Sequence, residues 1–131
     1  MTPGSTRRPR VLLIEDDPDL ADMYVERLKR GDLEVELIKN GATALTRLQE
    51  DDLPDGIILD LMLPGASGFD ILDQLVSDKK TANIPTIICT AFADDDRQRR
   101  AATLGFHDYY LKTHLSPGDL TLLMRNRLGL T

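Results

Sequence analysis

Five short apolar runs of strand length alternate with five segments of helical period from Arg10 to the end of the chain, and this alternation restricts the fold more than any other feature. Strands separated by helices at these lengths join through right-handed crossovers into a parallel sheet. The expected class is therefore α/β, a single doubly wound five-stranded parallel sheet with five helices. Val11–Ile14, Gly56–Leu59 and Ile84–Cys89 are near-continuous apolar runs, the pattern of strands covered on both faces. Leu33–Ile38 alternates Leu-Glu-Val-Glu-Leu-Ile and suits an edge strand with one wet side. The Tyr-rich stretch His107–Leu111 supplies the fifth strand.

Helix starts and stops are legible between these runs. Asp17-Pro18 places a capping side chain ahead of a proline at the first helical position, and Leu20, Met23, Tyr24 and Leu28 form the inward stripe until Gly31. Gly41–Gln49 should turn Ala44, Leu45 and Leu48 inward. Ser67-x-x-Asp70 has the form of a capping box before Ile71, Leu72, Leu75 and Val76. Asp94 can cap a helix to Leu104 with Gly105 just beyond it, and Ser116-Pro117 opens the last helix, carrying Leu120, Leu123, Met124 and Leu128.

A chain of 131 residues, 41% of them hydrophobic, can bury a core without disulfides or a structural metal. Its one cysteine, Cys89, lies in an apolar run and reads as a buried, inert thiol suited to a reducing cytoplasmic compartment. No apolar run is long enough for a membrane span or a signal peptide. Residues 1–9 are expected to be a disordered basic leader, and residues 10–131 the folded domain. The net charge is −6, and the body is more acidic still once Arg7, Arg8 and Arg10 are set aside. That balance argues against direct binding of nucleic acid.

In an open parallel sheet, ligands bind beyond the carboxyl ends of the strands. This chain places Glu15-Asp16-Asp17 after the first strand, Asp60 after the third, Thr90-Ala91 after the fourth and Lys112 after the fifth. Asp17 is explained as a cap. Asp60 is followed by Leu61-Met62-Leu63 rather than by a helix, so its carboxylate needs a cation or hydrogen bonds once buried. Three neighbouring carboxylates raise that cost, and a divalent ion relieves it. Oxygen ligands without adjacent His or Cys favour Mg²⁺. Lys112 then serves as a second cation, and the set suits phosphoryl transfer with a carboxylate as nucleophile.

The stretches Val11-Leu-Leu-Ile-Glu-Asp-Asp-Pro18, Ile58-Leu-Asp-Leu-Met-Leu-Pro-Gly-Ala-Ser-Gly68, Ile84-Pro-Thr-Ile-Ile-Cys-Thr-Ala91 and Gly105-Phe-His-Asp-Tyr-Tyr-Leu-Lys112 together resemble the response-regulator receiver domain of two-component signalling. The resemblance covers Arg10 to Leu128 and implies a flavodoxin-like strand order, 2-1-3-4-5. It implies that Asp60 accepts a phosphoryl group from a histidine kinase or phosphotransfer protein. Asp16 would bind Mg²⁺ directly, Glu15 through water, and the Met62 carbonyl would add a ligand. Thr90, followed by Ala91, would be the switch hydroxyl, Lys112 the phosphoryl-binding lysine, and Tyr109 the switch aromatic, its hydroxyl wet at rest. The implied output is an altered surface that contacts an unidentified protein, with a phosphorylation-dependent homodimer possible through Arg125, Arg127 and acids of the fourth helix. Such a domain assists its own phosphorylation and dephosphorylation and is not a conventional enzyme.

The alternative is a pseudo-receiver that binds a partner without being phosphorylated. The intact set Glu15, Asp16, Asp60, Thr90 and Lys112 argues against it. An aspartyl phosphatase would want a second acid where Met62 stands. Two positions depart from the family pattern. Thr113 replaces the usual proline after Lys112, so that peptide bond is expected to be trans. Met62 and Phe92, two residues beyond Asp60 and Thr90, are bulky and apolar and should slow self-dephosphorylation. His107 and His114 lack partners at ligand spacing, and Asp94–Arg100 reads as a solvated helix face.

Overall fold

The computed structural model describes residues 7–92 and 94–130. Its elements are β1 (Arg10–Ile14), α1 (Pro18–Arg30), β2 (Glu34–Ile38), α2 (Gly41–Arg47), β3 (Gly56–Leu59), α3 (Gly68–Ser77), β4 (Thr86–Thr90), α4 (Asp95–Thr103), β5 (Tyr109–Leu111) and α5 (Pro117–Arg127). All strand pairs are parallel, in the order β2-β1-β3-β4-β5. The reversal of direction falls at β1, so the carboxyl ends of β1 and β3 stand side by side, with Ile14 opposite Leu59.

Strand side chains alternate between two apolar layers. Leu12, Ile14, Ile57, Leu59 and Ile88 pack with Ala44, Phe69, Leu72, Leu75 and Ala101, which belong to α2, α3 and α4. Val11, Leu13, Ile58, Ile87 and Cys89 pack with Tyr24 and Leu28 of α1 and Leu120 and Met124 of α5. Each fully buried aliphatic side chain contributes about 1.5–3 kcal/mol of burial free energy, and the sheet is sealed on both sides. Edge strand β2 is half-covered, and Glu36 on it pairs with Arg47 of α2 at 2.8 Å.

The capping expectations hold. Asp17 accepts from the Asp19 and Leu20 amides, Asp94 from Asp96 and Arg97, and Ser67 and Ser116 form full capping boxes with Asp70 and Asp119. Asn40, not singled out in the sequence, caps α2. Two stripe residues do not face in: Met23 and Val76 are exposed, while Ala21 is fully buried. On α1 the inward face is set by Ala21, Tyr24 and Leu28, and Met23 lies off that face.

Of the expected leader, residues 1–6 lie outside the described residues. The Pro9 carbonyl already accepts from the Glu34 amide at 2.9 Å. The peptide bond after Lys112 is trans, and no cis bond occurs among the described residues. None of their helices is long and apolar enough to cross a membrane.

Candidate functional site

The main-chain ladder runs one residue beyond β1 and β3. The Glu15 amide donates to Ile38 O and the Asp60 amide to Ile14 O, each at 3.0 Å. Both side chains are thereby held where the sheet closes over them, Glu15 at 1% and Asp60 at 5% exposure. Asp16, the next residue, is exposed. One oxygen from each of these three carboxylates lies within 4.8 Å of the others, the only such cluster among the described residues. No other element contributes a His or Cys, and His107 and His114 are exposed and belong to no such cluster among those residues.

Lys112 is brought in from β5. Its amide donates to Thr90 O at 2.8 Å, which fixes the ends of β4 and β5 together. Its Nζ lies 2.8 Å from Asp60 Oδ2 and 2.6 Å from Glu15 Oε1. The remaining acceptors are met locally, since the Met62 amide donates to Asp60 Oδ1 at 3.0 Å and the Asp16 amide to Glu15 Oε2 at 3.1 Å.

Burial pushes the Glu15 carboxyl up to about 7, against the hydrogen bond from Lys112, and the nearby Asp60 adds to the rise. Burial alone would lower the Lys112 ammonium, but its hydrogen bonds to Asp60 and Glu15 prevail and raise it. The cluster is therefore an anionic site with one ammonium shared between two buried carboxylates. Removing either partner of such an arrangement leaves an uncompensated buried charge.

Thr90 is fully buried at the end of β4, and its Oγ1 has no hydrogen-bond partner. A buried hydroxyl without a partner costs about 1–3 kcal/mol, so this oxygen fits a site that receives another polar group. Ala91, beside it, is exposed. Tyr109 differs from expectation. Its ring is half-buried against the α2–α4 layer, but its hydroxyl is buried and unpartnered rather than wet. Burial raises its pKa. Met62 and Phe92 are exposed large apolar side chains, at 45% and 51%, on the loops that follow β3 and β4.

The loop after β3 is pinned by close approach. A Cβ on Gly41 would collide with the Ala66 carbonyl, and one on Gly68 would lie 2.5 Å from Leu61 Cα. The Gly41 amide donates to Pro64 O at 2.8 Å. These contacts hold Leu61–Ser67 against α2 and α3, and with them the amide that Met62 offers to Asp60.

One feature was not singled out in the sequence, and two groups of arginines differ from their sequence readings. The Tyr24 hydroxyl is buried and unpartnered beneath the site, and burial raises its pKa. No local pattern signals it, because the phenol sits on an ordinary apolar stripe. Arg97 and Arg100, read as part of a solvated helix face, line a cleft with the loop after β3. Arg127 forms a two-pronged pair with Asp108, at 2.7 and 2.8 Å, and Arg125 donates to Gly31 O, so both have partners within the chain. Cys89 is buried, and burial pushes its thiol up to about 12, the inert state expected of it.

The response regulator receiver domain family matches residues 11–124, and the chain belongs to that family. Among its relatives is the DNA-binding response regulator MtrA of Mycolicibacterium smegmatis, 35% identical over 123 residues, which cover 94% of this chain and 52% of the relative. The chain thus spans about half the length of that protein. The non-phosphorylated HemR receiver domain from Leptospira biflexa is 29% identical, covers 95% of this chain and 97% of its own, and superposes with a TM-score of 0.80. The Mn(2+)-bound form of response regulator Rcp1 is 25% identical over 90% of both chains, with a TM-score of 0.77.

The MtrA relative corrects one expectation. Net acidity argues against direct nucleic-acid binding, yet receivers of this kind occur in proteins named as DNA-binding. The charge argument fails because it describes only the receiver. Exposed charges are screened beyond about 8–10 Å, so an acidic receiver does not govern a DNA-contacting region elsewhere in such a protein.

Proposed function

We propose that this chain is a phosphoacceptor receiver: Asp60 takes a phosphoryl group from a histidine kinase or phosphotransfer protein, and the modified domain signals through its surface. One observation carries the reading. Glu15 and Asp60 share the Lys112 ammonium at 2.6 and 2.8 Å, while the adjacent Thr90 Oγ1 is buried with no partner. A carboxylate can act as nucleophile toward phosphorus, and such transfer depends chiefly on positioning and charge neutralisation.

The donor set of Glu15, Asp16 and Asp60 suits a small hard cation that keeps part of its water, as Mg²⁺ does. The Met62 carbonyl would complete that set. When bound, such an ion would offset the carboxylates and the incoming phosphoryl oxygens. Asp60 is held for attack by the Met62 amide and by Lys112. Lys112, 2.8 Å from Asp60 Oδ2, stays within reach of the phosphoryl oxygens once Asp60 carries the acyl phosphate. The Thr90 hydroxyl gains the acceptor it lacks at rest, and Tyr109, unpartnered beside the α2–α4 layer, is poised to respond. The group it takes ends on its own Asp60, so the domain assists its own phosphorylation and dephosphorylation and is not a conventional enzyme. A cytoplasmic location fits the buried free thiol, and a DNA-binding output of the MtrA kind is the one its relatives support. The pseudo-receiver reading finds no support, because none of the five key side chains is missing.

Incubation with acetyl phosphate and Mg²⁺, followed by intact mass, tests this. One phosphoryl adduct is expected, lost in Asp60→Asn and in EDTA. No adduct, together with no binding of beryllofluoride, would refute the reading.

A further inference from the structure

The phosphoacceptor site is anionic, and so are the small acyl phosphates that can feed it. A dianion approaching Asp60 must pass through the field of Glu15, Asp16 and Asp60, and the two sides of the site differ sharply. On the α1 side the exposed residues include the carboxylates Asp16, Asp17 and Asp19. On the other side lies a cleft of about 610 Å³, with the chain just after Asp60, Leu61 and Met62, on one wall and Arg97 and Arg100 of α4 on the other.

Both guanidinium groups lie over aromatic rings, Arg100 closely and Arg97 near the limit of a cation–π contact. Arg100 stacks 4.1 Å above the Phe69 ring, which is nearly buried, and Arg97 lies 5.8 Å above Phe92. Arg97 has one loose carboxylate neighbour, Asp94 at 3.7 Å. Among the described residues no carboxylate pairs with Arg100. Stacking occupies the flat face of a guanidinium and leaves its edge donors free for an oxyanion. Two cations three residues apart on one helix, each over a ring and lining a cleft with the loop that follows the phosphoacceptor, stand out in a protein of net charge −6.

We propose that Arg97 and Arg100 form the binding wall through which dianionic carboxyl phosphates, acetyl phosphate and its chemical kin, reach Asp60. This rests on the phosphoacceptor reading and adds the two residues that receive such a donor and its route past them. In the transfer, an Asp60 carboxylate oxygen forms the new bond to phosphorus as the bond from phosphorus to the acetate oxygen breaks. Acetate leaves with that electron pair, and no proton or further reactant is needed. The arginines act before the transfer, by raising the local concentration of the dianion and orienting it.

The test compares two donors, acetyl phosphate and the less highly charged phosphoramidate, by the rate at which the adduct grows in excess Mg²⁺. The proteins are wild type, Arg97→Gln with Arg100→Gln, and Arg97→Lys with Arg100→Lys, each checked for a normal unfolding transition. The glutamine pair is expected to slow acetyl phosphate about tenfold, within the range electrostatic steering commands, while slowing phosphoramidate far less. The lysine pair, which keeps charge without the stack, should stay near wild type, and added salt should slow wild type more than the glutamine pair. Equal slowing with both donors, no slowing, or lysines as poor as glutamines would overturn the proposal and leave the arginines as mere covers for Phe69 and Phe92. No adduct in wild type with either donor would overturn the phosphoacceptor reading, and this inference with it.

Discussion

Raising the pH of the metal-free protein from about 5 to about 8 is expected to destabilise it through Glu15. The carboxyl is 1% exposed, and its folded pKa stands near 7 against an ordinary 4.5. Below 4.5 the group is protonated in both folded and unfolded chains and contributes nothing. Between those two values the folded form keeps a proton that the unfolded form has lost, so each rise in pH favours unfolding. Above 7 the penalty is complete. At 1.36 kcal/mol per pKa unit the shift amounts to about 3 kcal/mol, a large share of the roughly 5–15 kcal/mol that stabilises a domain.

Urea unfolding at several pH values in EDTA reads this out, with Glu15→Gln as the reference. The amide can still accept from Lys112 but cannot ionise, so the difference between wild type and variant isolates the carboxyl. That difference should move against wild type by a midpoint shift on the order of 1–2 M urea across the window. A flat difference, or one that favours wild type as pH rises, would refute the assignment of burial as the dominant influence on Glu15. Adding Mg²⁺ near pH 8 should restore stability, by about 2.7 kcal/mol at a hundredfold excess over its dissociation constant.

Three further outcomes follow from individual contacts. Tyr24→Phe removes a buried hydroxyl that has no partner and should raise stability by about 1 kcal/mol in chemical denaturation; a clear loss would mean the oxygen is bonded after all. Gly68→Ala puts a methyl 2.5 Å from Leu61 Cα and should cost about 1–3 kcal/mol, while slowing adduct formation at Asp60 by shifting the Met62 amide; a stabilised protein with unchanged kinetics would contradict the close packing. Met62→Asn with Phe92→Glu should shorten the lifetime of the acyl phosphate, because polar groups could then orient an attacking water. An unchanged decay rate would dismiss the shielding role of these two side chains.

Much of the architecture was readable because its signals are local. The caps at Asp17, Ser67, Asp94 and Ser116 act within three residues of themselves, and the apolar runs of β1, β3 and β4 need no knowledge of their neighbours. Asp60 stood out for the same reason, as a carboxylate in an apolar run that needs a cation or hydrogen bonds once buried. Other features depend on what folding brings alongside. Met23 is large and apolar yet exposed, because the helix face belongs to Ala21, Tyr24 and Leu28. The closed-off hydroxyl of Tyr109 depends on the layer formed by α2, α3 and α4, which its own strand does not reveal. Arg97 and Arg100 look like solvent-facing charge until Leu61–Phe69 arrives opposite them from about thirty residues away.

The winding of the sheet also bears on why carboxylates can gather at this edge at all. Each helix follows its strand and runs back antiparallel to it, so α1 to α5 all begin at the edge where Glu15, Asp16 and Asp60 lie. The start of a helix carries the equivalent of about half a positive charge from its aligned peptide dipoles. Five such ends converge there, some of them partly answered by the capping carboxylates of Asp17, Asp70, Asp94 and Asp119. The topology therefore supplies a diffuse positive background before any side chain or ion does. A receiver stripped of Lys112 would still offer its acids a more hospitable rim than the opposite edge, where the helices end and their carbonyls point outward.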